Sequence, residues 1–227
     1  MALSEKPTVL LLSLALFCHS PEIWQEIDPS YRPPIDGLLN MAHVIHATTI
    51  SDALIEIDHG RFKAIIITDA TITNTSGEME GVLVKVKAYV ENGGLVIVGL
   101  HFPNYASNLE MNRFFAAFNL PWAAGLYHRT TVQFVPSSTL PTSVNALSFP
   151  GPYEVKALRI QNARADEKLF VPNIGYASPD FQLPPERLEE VQPAVACARV
   201  GGGYLVYCED MQYEHETIQT ILALCGS

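Results

Sequence analysis

Apolar residues in this chain recur with two different periods, and the alternation between the periods lays out the fold. Thr8 to Phe17 (TVLLLSLALF) is an unbroken apolar run, His43 to Ala47 (HVIHA) is a shorter one, and Phe62 to Thr68 (FKAIIIT) and Leu95 to Val98 are rich in β-branched residues. Runs of this kind mark strands buried on both faces of a parallel sheet, and the first is read as a central strand. Between them the period lengthens. Ser51 to Asp58 sets Ala53, Leu54 and Ile57 on one helical face, while Val82, Leu83, Val86, Tyr89 and Val90 repeat at helical spacing with Lys85, Lys87 and Glu91 facing away. Thr75-x-x-Glu78 reads as a capping box for the second helix, and Asn92-Gly93-Gly94 as its left-handed stop. Strand, helix, strand, helix, strand predicts an α/β fold with a doubly wound, mostly parallel sheet, flanking helices and right-handed crossovers.

The rest of the chain is less regular. Pro29, Pro33 and Pro34 predict a loop with short helical turns before Leu38 to Met41 closes a short helix. Ser107-x-x-Glu110 caps a helix whose Met111, Phe114, Phe115 and Phe118 form a core stripe. Gly125 to Val135 alternates like a strand. The proline density from about 136 to 193 predicts a loop-rich insertion or lid over the sheet edge, with room for two short strands. Ala194 to Val200, the turn Gly201-Gly202-Gly203 and Tyr204 to Tyr207 then form a C-terminal β-hairpin. In that hairpin Cys197 faces Val206 and lies only diagonal to Cys208, which argues against a disulfide. A helix from about Glu214 to Cys225 ends the chain, and residues 1–227 are read as a single domain.

Composition narrows the function. With 48% hydrophobic residues in 227, the chain can bury one sizeable core. A net charge of -10 argues against nucleic acid and against anionic membrane surfaces, leaving a small polar molecule or another protein as the partner. The four cysteines, Cys18, Cys197, Cys208 and Cys225, lack the spacing of a metal site, so reduced thiols and no metal or cofactor are expected. The first apolar run is too short to span a bilayer, and Glu5 beside Lys6 is unlike a secretory leader, so the expected location is cytoplasmic. Secretion through residues 1–20 is the alternative reading.

In a doubly wound sheet, ligands bind outside the carboxyl ends of the strands. That edge is expected to gather Cys18 and His19, Thr48 and Thr49, Thr68 and Asp69, His101 and Asn104, and Glu209 and Asp210. The stretch AYVENGGLVIVGLHF, with KAIIITDA before it and AVACARVGGGYLVYCED and a closing helix after it, resembles the class I glutamine amidotransferase-like superfamily, specifically its ThuA-like branch, and the related trimerisation domain of some β-galactosidases. The resemblance covers Thr8 to Phe118 and Ala194 to Cys225. It implies a flavodoxin-like α/β fold, a sugar-like ligand and self-association into a homo-oligomer.

The departures from that pattern are chemical. A glutaminase of the superfamily places a cysteine nucleophile at a strained G-x-C-x-G elbow, where this chain reads Gly99-Leu100-His101-Phe102-Pro103. The Gly-rich turn that supplies oxyanion donors is replaced by Asp69-Ala70-Thr71, and the late His-x-Glu pair by Cys208-Glu209-Asp210. Glutaminase chemistry is therefore not expected. Candidate catalytic residues are His101, Asp69 and Glu209, with imidazole as a general base. Candidate ligand-binding residues are His19, Thr68, Asn104, Tyr127, His128 and Asp210. Three readings stay open: a ligand-binding protein, a hydrolase or acid-base enzyme using His101, and a non-catalytic interaction subunit. Each candidate also has a plain structural reading: His101 capping the elbow, Asp69 capping a turn, Glu209 and Asp210 in a solvated loop, Tyr127 and His128 on a sheet surface.

Overall fold

A computed structural model describes residues 6–14, 32–74, 77–136, 138–142, 144–173, 191–210 and 215–226, with the side chains of 32–35 left aside. The expected central succession is present as β1 (Thr8–Leu12), β2 (His43–Ala47), α2 (Ile50–His59), β3 (Ala64–Ile67), α3 (Gly77–Glu91) and β4 (Leu95–Gly99). The first strand ends at Leu12, well short of Phe17, and Cys18 and His19 lie outside the described residues. Thr75, the proposed cap of α3, also lies outside them. That helix stops as its sequence indicates: Gly93 takes a φ of 106°, and the Gly94 N–H reaches back 2.9 Å to the Tyr89 carbonyl.

Before β2, the proline-rich stretch does not remain a loop. A ten-residue helix, α1, spans Arg32–Met41, so Pro33 and Pro34 lie in its first turn. Backbone N–H groups there have no intrahelical partner, and a fixed φ suits the helix start. A four-residue helix α4 (Phe102–Tyr105) and α5 (Asn108–Ala117) follow β4, and the Ser107–Glu110 capping box forms as expected.

Three further strands, β5 (Ala123–Phe134), β6 (Tyr153–Gln161) and β7 (Lys168–Pro172), lead to the hairpin β8 (Val195–Val200) and β9 (Gly203–Cys208) and to α6 (His215–Leu224). All nine strands join one sheet in the order β2-β1-β3-β4-β9-β8-β7-β5-β6. The first five in that order run parallel, and the remaining pairings are antiparallel. The proline-rich segment thus supplies two sheet strands of nine and five residues. In the hairpin, Cys197 pairs with Val206 and Val195 with Cys208, the register that keeps the two thiols apart.

Each parallel strand feeds both faces. Leu10, Leu12, Ile65, Ile67, Val96 and Val98 point toward α2, α3 and α5, while Val9, Leu11, Ala64, Ile66 and Ile97 point toward α1 and α6. The aromatic stripe of α5 is core: Phe114 packs on Phe102 and Phe118 with ring centroids 5.1 Å apart, and Phe115 meets Trp122 at 5.4 Å and Tyr207 at 5.7 Å. Burying each such ring contributes roughly 1.5–3 kcal/mol. The far strands curl back over this layer. The Leu158 carbonyl of β6 accepts the Tyr207 phenol at 2.8 Å, and the Ile160 N–H donates to the Pro193 carbonyl at 3.0 Å.

Strand β4 can lie against β9 only because residue 99 lacks a side chain. A methyl group on Gly99 would sit 2.5 Å from the Cys208 carbonyl oxygen, inside backbone that cannot move aside. Gly99→Ala is therefore expected to cost about 1–3 kcal/mol, read as a lower urea midpoint at unchanged slope.

Candidate functional site

The register of the parallel strands defines a straight row, Ala47, Leu12, Ile67, Val98 and Tyr207, across the sheet. Beyond that row the chain turns polar while staying buried. Ser13 and Thr68 are both fully buried, with their hydroxyl oxygens 2.9 Å apart. Because the Thr68 hydroxyl donates to the Leu12 carbonyl at 3.0 Å, the Ser13 hydroxyl is the donor between them. Asp69 uses both carboxylate oxygens on backbone: one accepts the Leu14 N–H at 2.6 Å, and the other accepts the Thr71 N–H at 2.8 Å. It therefore ties the end of β1 to the end of β3 and caps the 3-10 turn Ala70–Thr73. His46, read from sequence only as part of a strand, belongs to this corner. Burial pushes its imidazole below the ordinary pKa, and the nearby Asp69 carboxylate works in the opposite direction.

At the elbow, the left-handed backbone falls one residue earlier than the G-x-C-x-G comparison suggests. Leu100 has a φ of 55° and is buried, whereas His101 has helical angles of -77° and -17°. The strain is spent on a hydrocarbon side chain. His101 occupies the N-cap position of α4 without a side-chain capping bond to that helix. Its half-buried ring packs edge-on against Tyr105 at 5.4 Å. Phe102 turns into the core, and Tyr105 is 73% exposed, so the elbow is not sealed by its own aromatic residues. Asn104, half-buried one helical turn on, donates its N–H to the His101 carbonyl at 3.0 Å.

Glu209 and Asp210 are not a solvated loop: both are almost completely buried at the end of β9. Burial, reinforced by Asp210, pushes the Glu209 carboxyl well above the usual carboxylate range. The Tyr207 phenol donates to the Leu158 carbonyl at 2.8 Å and makes a second, longer contact of 3.3 Å to one oxygen of the Glu209 carboxyl. Its other oxygen, Oε1, is buried without a hydrogen bond. The described cysteines offer no replacement nucleophile. Burial pushes the Cys197 and Cys225 thiols up to about 12 and Cys208 higher still, far from a reactive thiolate.

Tyr127 and His128 are consecutive in β5 and so face opposite sides of the sheet. Tyr127 lies under the Lys156 ammonium, 5.3 Å from the ring centroid. His128 instead meets Arg159 of β6, a residue that sequence reading passed over. A signal for it was present: Tyr153, Val155, Ala157 and Arg159 occupy alternate, inward positions of one strand, and the last is a cation. Thus the structure gathers Thr68, Asp69, His101, Asn104, Glu209 and Asp210 around the carboxyl ends of β3, β4 and β9 and sets Tyr127 and His128 on the antiparallel extension. Among the described residues there is no cluster of acidic, histidine and cysteine side chains that could hold a metal ion, and no helix is long and apolar enough to cross a membrane.

No family model and no curated protein sequence matches the chain. Solved structures do. A ThuA-like protein from Bacteroides uniformis ATCC 8492 aligns over 99% of this chain and 92% of its own, at 12% identity and a TM-score of 0.56. A cytoplasmic protein from Salmonella typhimurium aligns over 96% and 97%, at 12% identity and a TM-score of 0.52. The β-galactosidase of Bacillus circulans sp. alkalophilus matches at 14% identity and a TM-score of 0.55, and this chain, 96% covered, spans 30% of that enzyme. The chain has a ThuA-like, class I glutamine amidotransferase-like α/β fold.

Two outcomes follow from the buried carboxyls. Asp69→Ala, which leaves two backbone N–H groups unpaired, is expected to lose about 2–4 kcal/mol in urea unfolding. For Glu209 the folded state holds a proton that the unfolded chain releases near the ordinary value of 4.5, so stability is full below that pH and falls as pH rises toward the raised folded value. Glu209→Gln, neutral throughout, should remove this loss, so the variant gains on the wild type with the slope of one proton above about pH 4.5.

Proposed function

We propose that this chain is a ligand-binding protein of ThuA-like fold that takes a small, sugar-like molecule at the carboxyl edge of its parallel sheet and carries out no glutaminase chemistry. One observation carries the reading: five polar side chains, Ser13, Thr68, Asp69, Glu209 and Asp210, are drawn to a single edge at 0–6% exposure, beneath a half-buried imidazole at the β4 elbow. A buried polar floor in which Ser13, Thr68 and Asp69 are fixed by hydrogen bonds is what a site needs to orient hydroxyl-bearing ligands. Buried Leu100 at the strained position and the raised pKa values of the described thiols, Cys197, Cys208 and Cys225, argue against acyl transfer through sulfur. The sugar class is supported by the β-galactosidases that share the fold, whose substrates belong to those enzymes.

The alternative acid-base role for His101 with Asp69 is less well supported, because both Asp69 oxygens are already engaged by backbone N–H groups. A ligand at the edge stabilises only the folded state. Thermal unfolding in the presence of galactose, glucose and their uronic acids is expected to show one of them raising Tm by at least ~5 °C at about a hundredfold excess over Kd. His101→Ala should abolish that shift. Ammonia released from glutamine by the pure protein, or no shift with any sugar, would count against the proposal.

A further inference from the structure

Apart from the carboxyl edge, one cavity of about 380 Å³ opens beside the antiparallel extension, lined by Leu126, His128, Thr130, Arg159, Pro172 and Gln192 among others. It exists because β5 is bulged. Ala124 pairs with Ile160 and Tyr127 with Leu158, so Gly125 and Leu126 together oppose Arg159. The freed Leu126 N–H is taken up by the Gln192 side-chain carbonyl at 2.8 Å. That bond orients the Gln192 amide and leaves its NH₂ as a donor.

Arg159 is 6% exposed; among the described residues its guanidinium meets His128 Nε2, and its Nε is buried with no acceptor there. An arginine stays charged in a protein, and burial lowers the pKa of this guanidinium. His128, with Nε2 accepting from Arg159, carries its proton on Nδ1 and is a further donor. Among the described residues, no aspartate or glutamate lines the cavity. A buried cation without a counter-charge costs stability that a hydrocarbon side chain would not. The cavity wall is thus donor-rich and cationic on one side and apolar, with Leu126, Pro172 and Val191, on the other.

We infer that this cavity is an anion site, in which Arg159, supported by the His128 and Gln192 donors, binds the carboxylate or phosphate of a small organic molecule whose apolar part lies on Leu126, Pro172 and Val191. The site shares none of its lining with the β4 elbow or Asp69, so it stands independently of the sugar-like ligand proposed above.

Isothermal titration of the full chain with benzoate and with inorganic phosphate, at fixed ionic strength in chloride, tests it. Saturable binding of at least one anion is expected: benzoate alone identifies a carboxylate with an apolar tail, and phosphate alone a phosphate-bearing ligand. Arg159→Lys, which keeps the charge but loses the planar fork, should weaken Kd at least tenfold, and His128→Gln, at the exposed rim, at least threefold. In the absence of anion, Arg159→Met should raise Tm, because it removes the uncompensated charge. No saturable binding of either anion by the wild type, or affinities unchanged in Arg159→Lys and His128→Gln, would overturn the inference.

Discussion

A parallel strand buried on both faces can place polar groups only at its ends, and the rest of this molecule follows from that constraint. Between Thr8 and Leu12, Ala64 and Ile67, and Leu95 and Gly99, every residue after Thr8 is buried, with hydrophobic side chains divided between the two faces. The first polar side chains beyond them, Ser13, Thr68 and Asp69, therefore meet at one level of the sheet. They are desolvated there, so each must find partners. The hydroxyl chain from Ser13 to Thr68 to the Leu12 carbonyl, and the two backbone N–H groups held by Asp69, supply them. These bonds, mostly to backbone, fix Ser13, Thr68 and Asp69 at the carboxyl edge.

The elbow shows how a scaffold keeps its geometry while its chemistry changes. The bend after β4 still requires a left-handed residue and a glycine pressed against β9. Here the left-handed residue is a buried leucine, the nearest described thiol is locked in the core at Cys208, and the imidazole that follows sits in relaxed helical backbone. Strain at this position serves the turn itself. Glu209 fits the same picture: burial raises the pKa of its carboxyl, which accepts the longer contact of the Tyr207 phenol that also holds the Leu158 carbonyl of β6 over the sheet.

The antiparallel extension applies the opposite economy. Most of its inward positions are filled by Val132, Tyr153, Val155, Ala157 and Phe170, which build a second hydrophobic cluster with the hairpin and α6. Arg159 breaks that pattern at the one place where a β-bulge opens a cavity. Local rules are broken in this way where a protein gives up stability for a site, since a methionine of similar length would pack without the cost of desolvation.

Period and punctuation in the sequence determined the parallel core: the strands β1 to β4, the helices α2, α3 and α5 with the aromatic stripe, and the hairpin register that keeps Cys197 from Cys208 were all legible, because each depends on neighbours within a few residues. That His101 stands where the G-x-C-x-G pattern has a cysteine was legible for the same reason. Tertiary structure alone decided the rest. Pro33 and Pro34 looked like helix breakers until their place in a first turn, where no N–H is needed, made them compatible with α1. The proline-rich segment read as a loop-rich insertion with room for two short strands, and only the pairing of β6 with β5 and of β7 with β5 and β8 placed those strands in the sheet. The Asp69 bond to Leu14 spans 55 residues, the Trp122 bond to Glu167 spans 45, and Arg159 meets His128 across 31. A local pattern records which face a residue prefers. It does not record which distant group will lie there, and the energetics of a buried polar group are set by that group.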